Sequence, residues 1–89
     1  MSIRVDMSPL LARYANSQFP IEIKGDTVEV CLKNLEKKFP KLKLFEKDGR
    51  TLSYLIISVN KEVISPEEIK SRLVKEGDEL QVMLMLGGG

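Results

Sequence analysis

The chain of 89 residues has no histidine and one cysteine, Cys31. The side chains that usually carry catalysis are therefore scarce. A zinc site needs several Cys or His ligands, and a Ser–His or Cys–His nucleophile needs an imidazole base. Neither can be assembled from these residues. Cys31 has no disulfide partner within the chain, which gives no sign of an oxidising compartment. It also falls on the apolar side of a helical pattern, where a thiol without a neighbouring base reads as core. The group left to consider is the end of the sequence, Gly87-Gly88-Gly89. Glycine lacks a side chain and reaches backbone angles closed to other residues. Such a tail can enter a narrow channel and offer its terminal carboxylate for activation, so that Gly89 carries or transfers a group. Extended, the four residues from Leu86 span up to ~13 Å. Three glycines are equally an ordinary chain end, so the elements that precede them must decide.

Composition narrows the classes. Lys and Arg number 14 against 13 Asp and Glu, a net charge of +1. A dedicated nucleic-acid binder would show a clear basic excess, and none is present. The length suits one small domain, expected to span residues 1–86, with 87–89 as a flexible tail. The start, Met1-Ser2-Ile3-Arg4-Val5-Asp6, lacks the apolar core of a signal peptide. No apolar run approaches the ~20 residues of a membrane span. The expectation is a cytoplasmic domain with no membrane partner.

The elements follow from periodicity. Ile3, Val5 and Met7 alternate with polar residues, as do Ile21 and Ile23, which predicts two strands of a hairpin. Between them Ser8-Pro9 starts a short helix, with Ser8 as cap and Pro9 at the first helical position. Leu10, Leu11 and Tyr14 are expected to cover one end of the core. Gly25-Asp26-Thr27 breaks the second strand and caps a longer helix. Val28, Cys31, Leu32, Leu35 and Phe39 fall on one face, and Pro40 stops it. Asp48-Gly49 marks a turn. Leu52 to Val59 is rich in β-formers, with Leu55, Ile57 and Val59 on one face and Tyr54, Ile56 and Ser58 on the other. Asn60-Lys61 turns into a short strand at Val63-Ile64. Ser65-Pro66-Glu67-Glu68 fits a capping box, with Ile69 and Leu73 on the apolar face of the following short helix. Gly77-Asp78 leads into a last strand from Glu79 to Leu86. The fold class is α+β. One long helix, with short helices besides, crosses a mixed sheet of four to five strands whose first and last strands lie side by side and parallel. That is a β-grasp arrangement.

This order and ending resemble the ubiquitin-like sulfur carriers, namely the small subunit of molybdopterin synthase and the sulfur carrier of thiamine biosynthesis. The matching pieces are Thr27-Val28, Leu35 to Pro40, Leu44-Phe45, Asp48-Gly49, Val59-Asn60-Lys61-Glu62, Gly77-Asp78-Glu79-Leu80 and the terminal glycines. Phe39-Pro40, Leu44-Phe45 and Asp48-Gly49 lean toward the molybdopterin branch. Met83-Leu84-Met85-Leu86 stands where that branch often has an aromatic-Pro-Pro stretch, and three glycines are more familiar in the thiamine branch. The resemblance implies a carrier and not an enzyme. Gly89 would be adenylated by an E1-like enzyme that uses ATP, then converted to a thiocarboxylate with sulfur from a donor enzyme. Gly88 and Gly87 would let the tail enter that enzyme and a larger synthase subunit. No cofactor or metal is implied on the chain itself. Molybdenum- or tungsten-cofactor synthesis is the leading pathway. The alternatives are thiamine thiazole or another sulfur pathway, a ubiquitin-like modifier forming isopeptide bonds through Gly89, and a β-grasp interaction module with an inert tail.

Met83 and Met85 lie on the strand face away from the expected core, and Ile56 points the same way. Together they suit a docking patch near the tail. The alternative is that the segment around Leu42 to Phe45 covers them. The charged helix face and Lys41 and Lys43 read as solvated surface.

Overall fold

The structure, a computed structural model, describes residues 2–85; Met1 and residues 86–89 fall outside the described part. The expected boundary between residues 86 and 87 therefore lies outside the described residues. Strands β1 (Ser2–Met7) and β2 (Ile21–Lys24) flank a short helix, α1 (Pro9–Ala15). The longer helix α2 (Val28–Lys38) follows, then β3 (Leu55–Val59), β4 (Glu62–Val63), a single 3-10 turn at Pro66–Glu68, and β5 (Glu79–Leu84). The sheet order is β2-β1-β5-β3-β4. β5 runs parallel to β1 and antiparallel to β3, with Val5 opposite Leu80 and Ile57 opposite Val82. The strand last in sequence is thus central in space.

Period two decides which face of the sheet is buried. Ile3, Val5, Ile23, Ile57, Val59, Leu80 and Val82 turn inward, where Val28, Cys31, Leu32 and Leu35 of α2 meet them. α2 starts where Thr27 Oγ1 accepts the Val30 N–H at 3.2 Å, which satisfies one of the free first-turn donors. Thr27, not Asp26, is the cap. Asn34 ties α2 to the sheet by donating to the Lys24 carbonyl at 2.8 Å. Glu36 accepts the Leu44 N–H at 2.8 Å, so the helix also holds the loop that brings Leu42, Leu44 and Phe45 into the core.

Several expectations are corrected. Ser8 stands at the start of α1, but its side chain makes no capping bond; its Oγ is buried without a partner among the described residues. The Ser8 carbonyl accepts the Ala12 N–H at 3.0 Å, and Pro9 fixes the first helical position. Leu11 and Ala15 form the inner stripe of α1, while Leu10 and Tyr14 face outward. The strand expected from Leu52 begins at Leu55, because the Leu55 N–H closes a turn onto the Leu52 carbonyl at 3.0 Å. β4 is Glu62–Val63, one residue earlier than expected, although Ile64 still donates to the Ile57 carbonyl. The capping box at Ser65 and Glu68 is present, but only one 3-10 turn follows. Residues 72–74 are extended instead: Val28 donates to the Arg72 carbonyl and Val74 donates to the Asp26 carbonyl. Alternation then buries Val74 and turns Leu73 out. The last strand stops at Leu84, and Leu86 lies outside the described residues.

Candidate functional site

The sheet leads the chain toward its glycines from its most protected position. Hydrogen bonds hold β5 at both ends. At its start the Arg4 N–H donates to the Asp78 carbonyl at 3.1 Å and the Asn60 N–H to the Glu79 carbonyl at 2.8 Å. The Asp78 carboxylate accepts the Asn60 side-chain amide at 3.1 Å and the Lys75 N–H at 2.9 Å. Asn60 in turn accepts the Glu79 N–H at 2.9 Å. The amide of Asn60, then the Lys75 N–H, hold the Asp78 carboxyl below the usual carboxylate range, because both bonds favour its charged form. At the other end the Ser8 N–H donates to the Val82 carbonyl at 3.0 Å and the Met85 N–H to the Tyr54 carbonyl at 2.7 Å. The chain is therefore held through Met85, one residue before Leu86. Gly87, Gly88 and Gly89 lie outside the described residues.

Ile56 and Met83 are directly opposite each other on β3 and β5. Both are half-buried and stand apart from the core cluster, on the face away from α2. Leu42, Leu44 and Phe45 pack into the core and not over that face. Met85, past the strand end, is 55% exposed. It also lines a groove of about 540 Å³ on the other side of the sheet, together with Leu10, Tyr14, Tyr54, Lys41 and Lys43. The sequence reading missed that groove. One signal for it was available: Leu11 and Ala15, four apart, claim the inner face of α1 and leave Leu10 and Tyr14 as a second stripe.

Cys31 is fully buried, and burial pushes its thiol up to about 11. A Cβ placed at Gly25 would lie 2.6 Å from its Sγ and 2.9 Å from its backbone nitrogen. The thiol is packed shut and protonated at neutral pH. Among the described residues no group of three or more Cys, Asp or Glu side chains could hold a metal ion. Nor is any helix among them long and apolar enough to cross a membrane.

A mixed sheet crossed by one main helix, with the last strand at its centre, defines a β-grasp protein of the ubiquitin-like class. Solved structures agree. Crystalline SAMP1 from Haloferax volcanii superposes with a TM-score of 0.80 at 26% identity, covering 100% of both chains. The solution structure of small archaeal modifier protein 1 from Methanosarcina acetivorans gives 0.82 at 26% identity, covering 99% of this chain and 96% of that one. A chain of the Amycolatopsis orientalis BexX/CysO complex gives 0.82 at 22%, covering 98% and 99%. No curated protein matches the chain. The model of the ThiS family matches residues 12–89. The chain belongs to this family of ubiquitin-like sulfur carriers and modifiers.

Proposed function

We propose that the chain is a sulfur carrier whose reacting group is the terminal carboxylate of Gly89. The observation that carries this reading is a match to the ThiS family that runs through Gly89, on a fold whose central strand, β5, ends at Leu84, shortly before the glycines in sequence. The partner is an E1-like adenylating enzyme. A Gly89 carboxylate oxygen attacks the α-phosphorus of ATP and pyrophosphate leaves. Sulfide delivered by a donor enzyme then attacks the carbonyl carbon, AMP leaves, and a thiocarboxylate remains. None of these steps asks for an acid, base or metal on the carrier. Gly87 and Gly88 keep the approach to the phosphate free of side chains. Ile56, Met83 and Met85 form a docking patch beside the tail. The acceptor we favour is the molybdopterin precursor bound by a larger synthase subunit, on the likeness of Phe39-Pro40, Leu44-Phe45 and Asp48-Gly49 to that branch. The setting is cytoplasmic.

A second reading, a protein modifier joined to lysines through Gly89, is favoured by the full-length likeness to small archaeal modifier protein 1 at 26% identity. One experiment separates them. With ATP, an activating enzyme and a sulfur source, the intact mass should rise by one oxygen-to-sulfur exchange, and a chain lacking Gly89 should not change. Higher-mass adducts on other proteins would favour the modifier. No change in mass, under conditions that charge a reference carrier, would overturn both.

A further inference from the structure

We infer that the groove beside Met85 docks a partner protein through a segment with a bulky apolar side chain flanked by carboxylates. Seven large apolar side chains are exposed among the described residues, and four of them, Leu10, Tyr14, Tyr54 and Met85, line this one groove. Scattered apolar exposure is ordinary, but a cluster of this kind marks an interaction site. The floor is aliphatic, formed by Leu11, Leu42 and Leu84. At about 540 Å³ the groove has the size of a small-ligand pocket. It lacks the buried polar groups that would orient a small ligand, and its open form suits a side chain presented by a larger surface. Two tyrosines on the walls offer apolar area with a polar tip, a composition enriched at protein interfaces.

Charge names the rest of the occupant. Lys41 and Lys43 stand on the rim, both exposed, and among the described residues no acidic side chain lines the groove. Neither lysine takes part in an ion pair among the described residues, where the pairs are Arg4–Glu79 and Arg72–Glu62. The two rim lysines lie within a basic run of the sequence. Residues 33–50 hold seven Lys and Arg against three Asp and Glu, while the rest of the chain holds seven against ten. The groove thus joins an aliphatic floor to two lysines unpaired among the described residues, and an acid-flanked apolar segment complements both. A nucleic acid would answer the lysines but not the leucine floor. The residues argued from all precede the terminal glycines in sequence, so the test does not depend on the carrier chemistry.

The test uses the full chain, labelled with 15N, and a short synthetic peptide with Leu-Trp at its centre and Asp and Glu on both sides. Shifts should gather at Leu10, Tyr14, Lys41 to Lys43, Tyr54, Leu84 and Met85, with Kd on the order of 1 mM or tighter. Affinity should fall as salt is raised. K41E/K43E should weaken binding about tenfold, and Y54S should weaken it with Lys41 and Lys43 intact. Both variants change exposed side chains, and their thermal unfolding should match the parent. A peptide with Lys in place of the acids should not bind. Four outcomes would overturn the proposal: no shifts at millimolar peptide, shifts centred on Ile56 and Met83, affinity indifferent to K41E/K43E, or displacement of the peptide by a single-stranded oligonucleotide on the same residues.

Discussion

At its first residues β5 is gripped by directional polar bonds. Asp78, Asn60, Lys75 and Glu79 exchange five hydrogen bonds within one turn-to-turn contact, and Leu80 beside them is fully buried. At its last residues backbone bonds hold the chain, from the Ser8 N–H to the Val82 carbonyl and from the Met85 N–H to the Tyr54 carbonyl. Leu84 is half-buried, and Met85 faces an apolar groove. The contrast separates two tasks. Directional bonds fix register, and a slip of one residue would turn Leu80 and Val82 outward. Apolar side chains at the far end impose no such geometry and stay available to another surface.

Truncation should show the largest difference between the two ends. Leu80→Ala should cost about 2–5 kcal/mol, as for a fully buried leucine that leaves a cavity. Leu84→Ala should cost less than half of that. Urea unfolding of both variants measures the difference, and equal losses would erase the distinction. The polar grip should give a smaller, pH-dependent effect. Asp78 has its folded value lowered, so it adds stability above the unfolded carboxylate value of about 4, and that contribution is lost as pH falls toward the lower folded value. Asp78→Asn should cost about 1–3 kcal/mol at neutral pH and should flatten the decline in stability below pH ~4. Unfolding followed from pH 7 to 3 in both proteins checks the sign. The smallest effect concerns the turn beside the grip. Asn60 and Lys61 both have positive φ, 50° and 71°, a conformation Asn accepts more readily than Lys. Lys61→Gly should add up to about 1 kcal/mol, read as a rise in thermal midpoint.

What was legible in the sequence follows from how local each signal is. β1, β2 and β5 showed their faces because alternation of Ile3, Val5, Ile23, Leu80 and Val82 is a period any one strand displays alone. α2 was legible from its stripe, a cap at Asp26 or Thr27 and the stop at Pro40. Failures came where a distant partner decides. Leu73 looked helical beside Ile69, but pairing of residues 72–74 with the start of α2 pulls the chain straight. Leu52 to Tyr54 are β-formers, yet the register of β3 on β5 begins with Leu55 opposite Leu84. The pairing of Ile56 with Met83 was half legible, since the shared face was readable from period two but the register was not. Of the groove only the outer stripe of α1, Leu10 and Tyr14, was legible, because the loop after α2, the turn before β3 and the end of β5 supply the rest of it.

Placing β5 in the middle of the sheet also sets an order of events during synthesis. β1 is made about fifty residues before β3, but neither has its inner neighbour until residues 79–84 emerge from the ribosome. Long-range pairing of this kind forms late. A chain cut short before β5 keeps two unsatisfied strand edges, which invite aggregation or degradation. The glycines come after β5 in the sequence, so a chain that has them also has every strand of the sheet. Until β5 is made, the inner edges of β1 and β3 are therefore the part of the fold most open to mispairing.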